Sequence, residues 1–181
     1  MSERKSGTPA WSYPVSVADI PETGRRADIV ADDGARAAIA KVAGVVALPR
    51  LEAGFDLSRQ GAESVRLVGR VSATVVQNCV VTLEPIESEI DEAVDLAFTS
   101  QTASTAGTAG LLAADADDPP EALHDGVIDL GAVAIEFLLL GIDPYPRKPG
   151  AVFDAPPAGD PTSHPFAALA ALNKGEKPKE D

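Results

Sequence analysis

Between residues 65 and 98 the chain alternates apolar and polar side chains along two long arms separated by a turn. A period of two over that length leaves few options other than a pair of half-buried strands. In the first arm Val65, Leu67, Val71, Ala73 and Val75 share one parity, while Arg66, Arg70, Ser72 and Thr74 take the other. In the second arm Ile86, Ile90, Val94, Leu96 and Phe98 alternate with Glu87, Glu89, Asp91 and Asp95. A hairpin turning between Val81 and Thr82 sets Gln77 opposite Ile86, Val75 opposite Ser88 and Leu67 opposite Leu96. Both apolar rows then fall on one face. The other face brings Arg70 beside Asp91 and Asp95, where opposite charges across strands contribute about 0.2–1 kcal/mol per pair.

A hairpin cannot bury such a face by itself, so the rest of the 181 residues must cover it. Hydrophobic residues make up 45% of the chain and aromatics only 4%, so the core has to be built from Val, Leu, Ile and Ala. The formal net charge of −13 gives an average field that repels phosphate backbones and attracts basic partners. One cysteine cannot form an internal disulfide, which suits a reducing compartment. The opening MSERKSGTPAW has no apolar run of signal-peptide length. The apolar stretch 128–142 is interrupted by Asp129 and Glu136 and is too short to span a bilayer. A cytoplasmic protein without membrane attachment is the expectation.

In chain order, the alternation of Trp11, Tyr13, Val15 and Val17 predicts a short strand, with Pro14 favouring a sheet edge. A second strand is expected over 26–30, then a helix over 34–43 capped by Asp32 or Asp33 and ended by Gly44. Residues 45–57 resume strand character, with Pro49 and Gly54 marking a bend or edge, and residues 58–63 turn into the hairpin. After Phe98 the run TSQTASTAGTAG and the acidic stretch 115–121 read as a flexible loop, taken as 99–124. Asp129 is the best cap for a second helix, LGAVAIEFLLL, apolar almost all round and stopped by Gly141 and Pro144. The prolines of 143–161 exclude a helix and favour extended chain. Phe166, Leu169 and Leu172 share one face of a short helix at 165–172, which docks either on its own domain or on a partner.

Signatures of catalysis are absent. The chain has no Gly-x-Gly-x-x-Gly, no phosphate loop and no Gly-x-Ser-x-Gly elbow, and its two histidines lie in an acid-rich and a proline-rich segment. His124 beside Asp125 reads as an exposed loop residue, and Glu136 as a side chain that reaches solvent or meets an arginine. Nothing near Cys79 in sequence supplies a cation or a base, so it reads as a small buried hydrophobe. The row Glu87, Glu89, Asp91 is the wet face of a strand or, functionally, a landing strip for a basic protein. Lys174, Lys177 and Lys179 are too few to anchor RNA.

Three places carry a resemblance: the turn Gln77-Asn78-Cys79-Val80-Val81-Thr82-Leu83-Glu84-Pro85; the stretch from Gly126-Val127-Ile128-Asp129-Leu130 to Asp143-Pro144-Tyr145-Pro146-Arg147; and His164-Pro165-Phe166-Ala167-Ala168-Leu169. Their order over 11–174 resembles the YceD family of large ribosomal RNA subunit accumulation proteins, and looks most like its alphaproteobacterial branch. The resemblance implies a cytoplasmic, non-enzymatic factor for large-subunit ribosomal RNA. Many members of that family show Cys-x-x-Cys at the turn and further cysteines later, a set suited to structural zinc. Here Thr82 follows Cys79 at that spacing and there is no second cysteine, so no metal is expected and Asn78 and Thr82 are left to hold the turn by hydrogen bonds.

The expectation is therefore an α+β domain over 11–153, with a mainly antiparallel, bent sheet built around the long hairpin, two principal helices and a short C-terminal helix. A flexible N-terminus spans 1–10, and a proline-rich tether with a solvated tail spans 154–181. The function expected is a ribosome-biogenesis factor, without cofactor, that binds a basic ribosomal protein or large-subunit assembly factor through Glu87, Glu89, Asp91, Phe166, Leu169 and Leu172. Contact with ribosomal RNA would be indirect or weak. The alternatives are a direct RNA binder using Arg66, Arg70, Arg147 and Lys148, and an enzyme acting on a small metabolite.

Overall fold

A computed structural model of the chain describes residues 10–61, 64–100, 121–123 and 125–153. The chain divides into two compact units, Met1–Pro149 and Gly150–Asp181. Of the second, residues 150–153 are described, and they are irregular.

The first unit is built on the hairpin of β4 (Ser64–Asn78) and β5 (Pro85–Ser100). Its register pairs Gln77 with Ile86, Val75 with Ser88 and Leu67 with Leu96, as the alternation predicts. β2 (Arg25–Val30) and β3 (Ala47–Arg59) extend it on one side, and β6 (Glu121–Leu123) joins on the other, giving the order β2-β3-β4-β5-β6. Every pairing in this sheet is antiparallel except β5 with β6. A separate two-stranded ribbon pairs β1 (Pro14–Ser16) with β7 (Val127–Asp129). The architecture is α+β.

One face of the large sheet is dry. Ile29, Leu51, Phe55, Leu57, Val65, Leu67, Val71, Ala73, Val75, Ile90 and Val94 are buried along it and form one cluster with residues of both helices. Helix α1 (Asp33–Ala43) begins at Asp32, whose carboxylate accepts the Ala35 N–H at 2.8 Å, and stops at Gly44 with φ of 69°. It contributes Ala35, Ile39 and Ala40 to the core. Helix α2 (Leu130–Gly141) contributes Leu130, Gly131, Val133, Ala134 and Leu138. Full burial of each large aliphatic side chain stabilises by about 1.5–3 kcal/mol, so covering this face accounts for the placement of both helices.

Three local expectations are corrected. The first strand is only Pro14–Ser16, because Val17–Asp19 turn into a 3-10 helix. The segment assigned to loop after Phe98 is strand at both ends, through Ser100 and again at Glu121–Leu123, because parallel pairing with β5 satisfies its backbone. The register shifts between Ala47 and Arg50, across Leu48 and Pro49, whereas Gly54 sits in unbroken pairing between Asp28 and Arg70.

Candidate functional site

The turn between the hairpin arms is braced from a distance. Cys79 is fully buried, and its Sγ accepts backbone N–H groups from Val81 and Thr82 at 3.4 Å and from Lys148 at 3.3 Å. Segment 143–148 fastens the turn further: Val80 N–H donates to the Pro146 carbonyl at 2.9 Å, Gln77 Nε2 to the Asp143 carbonyl at 2.9 Å, and Lys148 Nζ to Glu84 at 2.9 Å. Leu83, at φ of 61°, closes the turn in the left-handed region by donating its N–H to the Cys79 carbonyl.

This environment changes the chemistry of the thiol. The Lys148 N–H first, then the Thr82 hydroxyl and N–H, bring the Cys79 pKa from 9.0 down to about 6, against the opposing effect of burial; the Val81 N–H adds to them. Cys79 is buried, as the sequence reading has it, and to that burial the structure adds three amides converging on its sulfur. The hydroxyl of Thr82 also accepts the Glu84 N–H at 3.4 Å. The side chain of Asn78 makes no hydrogen bond among the described residues. These groups do not fit a structural zinc, because the sulfur is already taken by amides and Thr82 offers a hydroxyl in place of a second thiolate. Among the described residues no three metal-ligating side chains converge.

The acidic row of β5 lies on the wet face of the sheet, where the arginines of neighbouring strands reach it. Glu89 accepts Arg50 at 2.6 Å and the Thr74 hydroxyl at 2.7 Å, and Asp91 pairs with Arg70 at 2.7 Å. Asp95 takes Arg66 at 2.7 Å, and Arg26 pairs with both Asp28 and Asp56. Hydrogen bonds from Thr74 and from Arg70 hold the Glu89 and Asp91 carboxyls, respectively, below the usual carboxylate range. Glu87 has no such partner among the described residues. Of the cations weighed for RNA, Arg66, Arg70 and Lys148 are thus paired within the chain.

Asp129 does more than cap a helix. It accepts the N–H groups of Gly131 at 3.0 Å and Ala132 at 3.2 Å, the Tyr13 N–H at 2.8 Å and the Ser12 hydroxyl at 2.6 Å. It joins the N-terminal ribbon to α2. Burial would raise its pKa, but the Ser12 hydroxyl and these three amides outweigh that and lower it. On the outer side of α2, Glu136 is exposed and stands beside Glu121, whose carboxyl is raised by burial and then by the Glu136 charge.

His124, His164, Phe166, Leu169 and Leu172 lie outside the described residues. Sequence reasoning missed Gln77, Glu84 and the 143–148 brace, since partners such as Cys79 and Lys148 are 69 residues apart with no local pattern linking them.

The fold and this turn define an α+β domain organised on one long hairpin, with a braced tip, a charged wet face and an apolar helix across the dry one. The family described as large ribosomal RNA subunit accumulation protein YceD matches residues 67–173, more than half of the chain. The chain belongs to that family. The matched region includes most of β4, all of β5, the braced turn and α2. No curated protein and no solved structure matches the chain. Among the described residues no helix is long and apolar enough to cross a membrane.

Proposed function

We propose that this chain promotes accumulation of large-subunit ribosomal RNA as a non-enzymatic cytoplasmic factor. It holds a basic ribosomal or assembly protein while that partner meets precursor RNA. The family match carries the reading, and the net charge of −13 gives its sign, since such a field favours a basic protein over a phosphate backbone. On β5, Glu87 is open to an incoming cation, whereas Glu89 and Asp91 would exchange Arg50 and Arg70 for the partner's groups. Phe166, Leu169 and Leu172 supply an apolar contact in the same reading. Direct RNA binding is less well supported, because Arg66, Arg70 and Lys148 already hold carboxylates.

The test is the ratio of mature large- to small-subunit ribosomal RNA in cells depleted of the protein. A selective fall in the large-subunit RNA is expected, restored by the full chain and not by a copy ending before Pro165. An unchanged ratio overturns the proposal. Partner binding should weaken as salt rises, and binding indifferent to salt would remove the electrostatic part.

A further inference from the structure

Helix α2 is apolar on two sides, and the sheet uses only one. With Leu130, Val133, Ala134 and Leu138 buried, the residues Ala132, Ile135, Leu139 and Leu140 turn away and line a groove of about 410 Å³ together with Ala10 and with Ile39 and Val42 of α1. Ile39 is fully buried, whereas Val42, Leu139 and Leu140 are 68%, 41% and 72% exposed. A contiguous apolar surface of this kind is a marker of an interaction site rather than of ordinary surface. Glu136 lies in the same wall, and its charge acts on Glu121 of β6, which is not part of the groove's lining. Neither carboxylate has a cation or a hydrogen bond among the described residues, in contrast to the wet face of the sheet, where Glu89, Asp91 and Asp95 each hold an arginine.

We propose that this groove docks an amphipathic helix of a basic partner protein, its apolar side chains between α1 and α2 and a lysine or arginine against Glu136. From Ala132 to Leu140 the wall is a little over two helical turns, about 12 Å, which matches anchors at i, i+3 or i+4, and i+7. A cation placed there relieves the repulsion between the two carboxylates. A second copy of this chain suits the groove less well, because two chains of net charge −13 repel and each adds another acidic pair at the contact. The inference rests on the proposed function for the basic character of the partner, and it adds to the β5 row a second, separate surface that takes a helix of that partner.

The probe is a synthetic helix of about 18 residues with leucines at i, i+3, i+4 and i+7 and flanking lysines, titrated into the isotope-labelled full chain and followed by amide NMR. One control replaces the lysines by glutamates and another scatters the leucines. The expected result is binding by the first peptide only, with shifts confined to 39–42, 121 and 132–140. Leu140→Ser, Val42→Ser and Glu136→Lys should each weaken it about 5- to 10-fold, which is about 1–1.4 kcal/mol, without moving the unfolding midpoint, since all three side chains are exposed. Shifts on the wet face of the sheet, equal binding of the scattered peptide, or an apolar contact filled by self-association in sedimentation would overturn it. If depletion lowers the large-subunit RNA but the groove variants bind normally, the groove fails and the proposed function stands. Groove binding with an unchanged RNA ratio removes the function and leaves the groove.

Discussion

Burial ordinarily raises the pKa of a thiol, yet Cys79 is lowered to about 6 because the N–H of Lys148 and the hydroxyl and amides of the turn converge on its sulfur. The linkage has a definite sign. With an ordinary value of 9.0 in the unfolded chain, the thiolate's contribution is full above pH 9 and is lost as pH falls through 6. The stability difference between the native chain and Cys79→Ala should therefore shrink from pH 9 to pH 6 in denaturant titrations. Thiolate absorbance should titrate near 6 in the folded chain, and a folded-state midpoint near 9 would contradict the hydrogen bonding described. Gly69 offers a second single-residue test. It faces Phe55 across the β3–β4 pair, and a Cβ there would run into the Gly54 backbone carbonyl and lie 2.6 Å from the Phe55 ring. Gly69→Ala should cost about 1–3 kcal/mol by overpacking, measured by urea unfolding, and Phe55→Leu should not restore it, because the closest obstacle is the Gly54 backbone carbonyl.

At the scale of elements, the Asp129 carboxylate caps α2 and also ties it to Ser12 and Tyr13, beside the β1–β7 ladder and the Leu130 N–H bond to the Tyr13 carbonyl. Asp129→Ala leaves the Gly131, Ala132 and Tyr13 amides without their acceptor. Loss of an N-cap alone costs about 0.5–2 kcal/mol, and the Tyr13 bond adds to it, so the substitution should cost more than an ordinary cap. Amide exchange should rise at 13–16 and 130–132 before the rest of the sheet, and uniform loss of protection would argue against a local tie. The ion pairs of the wet face differ in kind. Both partners of Arg70 and Asp91 are more than half exposed, so a double-mutant cycle on the pair should return under about 1 kcal/mol.

For the whole molecule, paired charges on one face coexist with a net charge of −13, so self-repulsion exceeds what the surface pairs return. Raising salt from about 10 to 150 mM, which shortens the screening length from about 30 to 8 Å, should raise the unfolding midpoint. A fall would mean that the arginine pairs dominate. The same imbalance acts against phosphate over the whole chain, whereas the proposed basic helix would meet it at Glu136, which holds no cation among the described residues.

The hairpin, its register, both principal helices and the cap residues Asp32 and Asp129 are legible in the sequence, because each follows from periodicity or capping chemistry within a few residues. The alternation rules out a slip of one residue, which would turn Val65, Leu67 and Val71 outward, and the turn between Val81 and Thr82 then selects among the registers that remain. Tertiary structure alone decided what those elements meet. The Lys148 amide reaches Cys79 across 69 residues, β6 returns beside β5 in parallel, and the second apolar side of α2 stays open next to α1. The first two have no local signature, and the all-round apolar character of LGAVAIEFLLL does not say which side stays open. Each depends on where the packed sheet delivers distant backbone, and that is set by burial of the whole apolar face rather than by any segment's own pattern.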